Sequence, residues 1–191
     1  MNTTTYNKEI ISGRTACAAC GATFFILATA LGAYVRIPLE GTPVPITLQT
    51  FFVLLSGAVL GRRLGSFSQF AYVILGAAGL PIFQAFSSGA LYVAGPTGGY
   101  LAGFVAAAYF VGRMVGRPGL GKIRVVASFI IADFVIHSSG ALWLAYFYKM
   151  SLLRAASIGI LPFVPGEIAK IFFAVLIYSG ISRRSKAIFS D

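Results

Sequence analysis

The 191 residues are 58% hydrophobic and only 10% charged, with a mean hydropathy of +0.85, whereas a soluble domain carries roughly 25% charged residues. That deficit excludes an ordinary water-soluble enzyme. It also excludes a nucleic-acid binder in spite of the net charge of +10, because the cations lie in short gaps between apolar runs, where they orient a membrane protein.

A helix needs ~20 apolar residues to span ~30 Å of hydrocarbon, so about six spans account for about two thirds of the chain. The expected architecture is an all-α integral membrane protein with six transmembrane helices, residues 1–191 forming a single membrane domain. Met1 to Arg14 is polar, and the following run is too long for a signal peptide and is read as a retained span. The predicted spans are 15–35, 47–60, 65–80, 97–115, 123–148 and 166–181. Between the first two, Pro38, Pro43 and Pro45 forbid an ordinary helix. Gly61 to Gly65 carries Arg62 and Arg63, and residues 81–96 form an uncharged loop rich in Gly, Ser and aromatics. A basic turn follows at 116–122, and 149–165 is a longer connection.

Counting from the N-terminal side, eleven of the 15 Lys and Arg residues fall in segments on that side and three (Arg36, Lys149 and Arg154) on the other. Lys170 lies inside the sixth span. The asymmetry predicts both termini in the cytoplasm and a multi-pass protein of the cell membrane. The opposite, outer connections are the longer ones. Irregular backbone at membrane depth persists where it is packed in protein or lines a cavity, so the candidate site is on the outer side. No convincing internal repeat is present.

Gly116-Arg-Pro-Gly-Leu-Gly-Lys122-Ile123 nearly spells a P-loop. Ile123 replaces the magnesium-binding hydroxyl, and no strand precedes it, so a basic turn is the favoured reading. Cys17 and Cys20 form a C-x-x-C without a second pair, which favours small-residue packing over metal or redox use; no metal site, resident cofactor or catalytic residue is expected.

Glu167 and Lys170 follow Pro165-Gly166 and share one helix face three residues apart. Ionisable groups inside a span are costly and mark function. They offer an acceptor and a donor for a ligand with adjacent N–H and C=O groups, or a carboxylate partner for Lys170; a snorkelling surface pair is the plainer alternative. Asp133 and His137, four apart, could relay a proton, bind a cation or simply bond between helices. Thr47, Gln49, Gln84, Ser87, Tyr92 and Tyr100 add polar and aromatic groups to the outer connections, as a mainly apolar pocket with few polar anchors requires. Small residues at Ala18 and Ala22, and at Gly95, Gly99 and Gly103, permit close helix approach, either within the chain or with a partner.

Pro43-Val-Pro-Ile-Thr-Leu-Gln-Thr50, Leu60-Gly-Arg-Arg-Leu-Gly65, Leu75-Gly-Ala-Ala-Gly-Leu-Pro81, Gly95-Pro-Thr-Gly-Gly-Tyr-Leu-Ala-Gly-Phe104 and Leu161-Pro-Phe-Val-Pro-Gly-Glu-Ile-Ala-Lys170 occur in that order. Together they resemble the BioY family, the biotin-binding S-components of energy-coupling-factor (ECF) importers. The resemblance covers roughly Thr15 to Ile181. It implies a six-helix fold with an outward-facing biotin pocket, a transmembrane coupling protein and two cytoplasmic ATPases as partners, and docking of the coupling protein on Ala18 and Ala22. ATP would then be hydrolysed by the partners. The family's usual Asp is replaced by Glu167, one methylene longer. Glu167 can accept from a ureido N–H, and Lys170 can donate to the ureido carbonyl or meet the valerate carboxylate. The alternative is a self-contained, solo or proton-coupled importer using Asp133, His137 and Glu167.

Overall fold

The computed structural model describes residues 3–116 and 121–189. Helix α1 (Thr3–Tyr34) leads into a two-residue strand, β1 (Arg36–Ile37), which pairs antiparallel with β2 (Ile46–Thr47). The prolines between them therefore sit in the tip of a hairpin, where a missing N–H costs least. Then come α2 (Gln49–Ala77), a 3₁₀ turn at Gln84–Phe86, the single turn α3 (Ala90–Val93), α4 (Gly98–Val115), α5 (Lys122–Phe147), α6 (Leu152–Gly159), a second 3₁₀ turn at Leu161–Phe163, and α7 (Val164–Phe189).

Two elements depart from the sequence expectation. Helix α1 begins a dozen residues before the apolar run does. The connection at 149–165 contains α6, whose Ser151 cap accepts from the Arg154 N–H. The predicted spans 47–60 and 65–80 are, as expected, two helical arms, here the two parts of α2, and the chain reverses between them at Gly61, with φ 81° and ψ 176°, a conformation that favours glycine. The reversal is plain from Gln49, whose Nε2 donates to Tyr72 Oη at 2.7 Å; in a straight helix those residues would stand ~35 Å apart. The two arms of α2 thus lie side by side, without a loop between them.

Close approach of these arms to α4, and of α4 to α5, explains much of the glycine content. A β-carbon at Gly57 would collide with the Ala108 backbone, and one at Gly99 with the Trp143 side chain. The Gly95, Gly99 and Gly103 series therefore serves packing inside the chain, where Ser139 Oγ donates to the Gly99 carbonyl at 2.8 Å and Trp143 Nε1 to Gly95 at 2.7 Å.

One contiguous apolar core runs through the bundle, from Leu54 and Val111 to Phe129, Ala174 and Tyr178. Outside it, Phe24, Leu31, Phe134, Leu142, Phe172 and Leu176 are exposed, which suits lipid and not water. Among the described residues, the helical stretches Gly13–Tyr34, Gly98–Val115, Lys122–Phe147 and Leu152–Ser185 are long and apolar enough to cross a bilayer. Neither arm of α2 reaches ~20 residues. The P-loop-like turn falls largely on 117–120, outside the described residues.

Candidate functional site

Pro165 and Gly166 open α7, and the helix then turns Glu167 and Lys170 inward, 4% and 8% exposed. They meet the end of the hairpin and the start of α2. The Lys170 ammonium donates to the Thr47 carbonyl at 2.8 Å, to Thr50 Oγ1 at 2.8 Å, and to Glu167 Oε1. Its three donors are thereby all engaged. Thr50 Oγ1 in turn donates to Glu167 Oε2 at 2.8 Å. Two charges and a hydroxyl close a ring of hydrogen bonds, which is what permits the charges to stay buried.

Glu167 lines a cavity of about 40 Å³ together with Thr47, Gln49, Gln84, Tyr92, Tyr100 and His137. Lys170 stands behind Glu167 and does not line it. The polar anchors differ in what they leave free. Gln49 is spent on Tyr72, and Thr47 Oγ1 donates to Gln49 Oε1 at 3.1 Å. Tyr100 donates to the Gly159 carbonyl at 2.7 Å, so it offers the cavity its ring. Gln84 Oε1, by contrast, is buried with no partner, a costly state for an acceptor. The backbone beyond it is strained: Ala85 and Phe86 both adopt left-handed conformations, φ 55° and 58°, uncommon outside glycine.

The remaining walls are aromatic. Tyr92 stacks on Phe83 at 4.7 Å, and Phe163 closes the side toward α6. Ser87 does not reach this cavity. It lines an adjoining depression of about 300 Å³ with Arg36, Pro43 and Ala85, joined to the cavity through Pro45, Gln84 and Tyr92. The inner cavity is far smaller than the ~300–1,000 Å³ of a small-molecule site. Pro45, Gln84 and Tyr92 form the wall shared by the two spaces.

Thr50 and Phe163 were missed from the sequence. Thr50 closes the quoted Thr47-x-Gln49-Thr50 string, whose helical phase was the available signal. Asp133 and His137 do come together, with His137 Nδ1 3.4 Å from Asp133 Oδ2. His137 Nε2 faces Glu167 Oε1 at 3.8 Å, which puts the pair in the site. The donor atoms of this trio lie within 4.8 Å of one another, and beside Glu167 the cation is already supplied by Lys170.

The partner-docking residues separate. Ala18 is half-buried, but Ala22 is 5% exposed and packed inside the chain. The expected open docking face at Ala22 is therefore not there, since the arm of α2 that holds Leu60 covers its neighbour Gly21. Cys17 and Cys20 are free thiols on the exposed side of α1.

The model of the BioY family matches residues 7–187. The chain belongs to the BioY family. A "Probable biotin transporter BioY" of Pyrococcus horikoshii is 41% identical over 153 residues, 80% of this chain and 88% of that protein. The biotin transporter BioY of Thermotoga maritima is 40% identical over 147 residues, 77% and 85% of the two chains. A crystal structure of the S-component for biotin from an ECF-type ABC transporter superposes with TM-score 0.81 at 24% identity, covering 96% of this chain and 95% of that one. The bundle is therefore the S-component fold, and three of the quoted segments, 43–50, 95–104 and 161–170, contribute residues to the cavity.

Proposed function

We propose that this chain captures biotin and is the substrate-specific component of an ECF-type importer. The observation that carries the reading is the Thr50–Glu167–Lys170 ring on the wall of the cavity of a BioY-family fold. Biotin presents N–H donors and a carbonyl on its ureido ring, an apolar thioether ring and a valerate carboxylate. Glu167 accepts a ureido N–H while the aromatic walls take the bicycle. With its donors committed, Lys170 acts through Glu167 by keeping the carboxylate ionised and aimed. Gln84 accepts a second N–H. The valerate then points into the depression where Arg36 stands.

The cation distribution supports six crossings of the cell membrane with both termini cytoplasmic, the two arms of α2 serving as the short second and third crossings. Their shortness is tolerable where protein shields them or the bilayer thins. The Arg36 end is then extracytoplasmic. With Ile123 where a P-loop needs its magnesium-binding hydroxyl, the chain draws on a transmembrane coupling protein and two cytoplasmic ATPases. A solo or proton-coupled importer is the second reading, favoured by the buried Asp133–His137–Glu167 trio.

Binding of a vitamin panel to detergent-purified protein is the decisive experiment. Biotin is expected to bind selectively, and Glu167→Gln to weaken it. Equal binding by the substituted protein, or selection of another vitamin, refutes the assignment. Uptake by cells with no partner proteins would favour the second reading.

A further inference from the structure

The buried charges beside the cavity do not balance. Glu167 and the largely buried Asp133 are two carboxylates, and Lys170 is one ammonium. Uncompensated charge is strongly disfavoured in such surroundings. His137 lies between the carboxylates with its side chain 5% exposed. On one side Nδ1 is 3.0 Å from the Asp133 carbonyl and 3.4 Å from Asp133 Oδ2; on the other Nε2 faces Glu167 Oε1 at 3.8 Å.

All three of these oxygens are acceptors when the carboxylates are ionised, and a neutral imidazole has only one N–H. In either neutral tautomer one ring nitrogen would turn a lone pair on an acceptor. An imidazolium presents N–H on both sides and supplies the missing positive charge. The other elements packed on the ring offer no competing charge. From α4 comes the edge of Tyr100 at 6.0 Å, its hydroxyl directed to Gly159, and from the turn before α7 comes Phe163 at 5.4 Å. Lys170 is reached only through Glu167.

The 3.8 Å gap between Nε2 and Oε1 exceeds a hydrogen bond, which runs to ~3.2 Å. Nε2–H is therefore left unspent on the cavity wall, and Oε1 keeps a lone pair beyond the one Lys170 uses. A donor and an acceptor stand side by side, the complement of an adjoining C=O and N–H.

We propose that His137 is held as an imidazolium and donates through Nε2 to the carbonyl of the cyclic urea, beside the N–H accepted by Glu167. Asp133 is its positioning residue, fixing the ring through Nδ1. This rests on the biotin reading above and adds a specificity determinant to it. A ligand in which a protonated C=NH replaces C=O, such as the cyclic guanidinium of 2-iminobiotin, brings only donors where an acceptor is required and is rejected. Because the protonated ring makes the contact, biotin affinity is present at low pH and is lost as pH rises through deprotonation of His137.

His137 is the chain's single histidine, so ¹⁵N-histidine labelling of the purified protein gives one ring to observe. Both ring nitrogens are expected to carry protons at neutral pH; a neutral ring overturns the proposal, whatever the ligand. Biotin and 2-iminobiotin binding are then measured from about pH 6 to about pH 9. The unaltered protein is expected to prefer biotin and to lose affinity by about tenfold or more across that range. His137→Gln, which keeps a neutral N–H donor, is expected to retain biotin binding within a few-fold and to lose the pH dependence. His137→Phe is expected to lose about tenfold and to narrow the gap between the two ligands. Biotin binding by His137→Phe equal to the unaltered protein, or a flat pH profile, overturns the contact while leaving the biotin reading intact. No biotin binding by the unaltered protein, with the imidazolium present, overturns the biotin reading and the carbonyl contact with it.

Discussion

Two of the polar clusters buried among the described residues are built on opposite terms. Between α1 and the second arm of α2, Thr29 Oγ1 donates to the Phe25 carbonyl at 2.8 Å and approaches Gln69 Oε1 at 3.3 Å, and Gln69 Nε2 donates to Ser68 Oγ at 3.3 Å. All three residues are fully buried and neutral, and no cavity adjoins them among those described above. Between α2, α5 and α7, the charged pair Glu167 and Lys170 is joined by the Thr50 hydroxyl and faced by His137, and these residues line or back a cavity. A neutral cluster of this kind joins helices cheaply, whereas buried ions are tolerated only if paired and hydrogen-bonded. Charge in the core of a membrane protein marks work done on a ligand, and its neutral counterpart marks assembly of the fold.

The sharpest way to break the comparison is to remove one ion. Lys170→Met leaves Glu167 buried beside a thioether and is expected to cost about 3–5 kcal/mol of stability, the usual penalty for breaking a buried pair, along with biotin binding. Adding Glu167→Gln should recover most of the unfolding temperature in detergent and none of the binding. If both properties returned together, the charges would be structural after all.

Ala22→Trp comes next. Overpacking a site that is 5% exposed is expected to cost about 1–3 kcal/mol, lowering thermal stability and biotin binding together. Ala18→Trp, on a half-buried face, is expected to spare binding and to impair assembly with a coupling protein; co-purification separates the two outcomes. Thr50→Val is milder: it deletes a donor to Glu167 and an acceptor for Lys170, and calorimetry is expected to register a loss of about 1–3 kcal/mol in biotin affinity.

The smallest effect belongs to the neutral cluster. Replacing Thr29 by Val and Gln69 by Met removes both partners at once, a change that can be nearly neutral. Unfolding temperature and biotin affinity are expected to stay near those of the unaltered protein, and a large loss of binding would erase the distinction between the clusters.

Much of this contrast was legible in the chain itself. The pairing of Glu167 with Lys170 follows from helical spacing after Pro-Gly, and their burial inside the bundle follows from the cost of charge in lipid. The hairpin of β1 and β2 was half visible, since prolines rule out helix but do not name the alternative. The reversal at Gly61-Arg-Arg was visible as a basic break between two apolar runs; what the sequence did not show is how tight it is, with Gly61 alone leaving helical geometry. The separation of Ala18 from Ala22 was equally hidden, because small residues four apart look the same whether they meet a partner or the chain's own α2. Nor could spacing along α7 tell that Lys170 would spend its donors on Thr47, Thr50 and Glu167; that depends on where an element more than a hundred residues earlier comes to rest.

The chain's single tryptophan also has a consequence for measurement. Trp143 is tethered by its indole N–H to Gly95, at the foot of the 81–96 segment that carries the cavity residues Phe83, Gln84 and Tyr92. Its emission is thus a built-in optical gauge of that segment. Stopped-flow fluorescence, with no label attached, is expected to resolve the opening of the 81–96 segment as a step whose rate levels off at high biotin concentration.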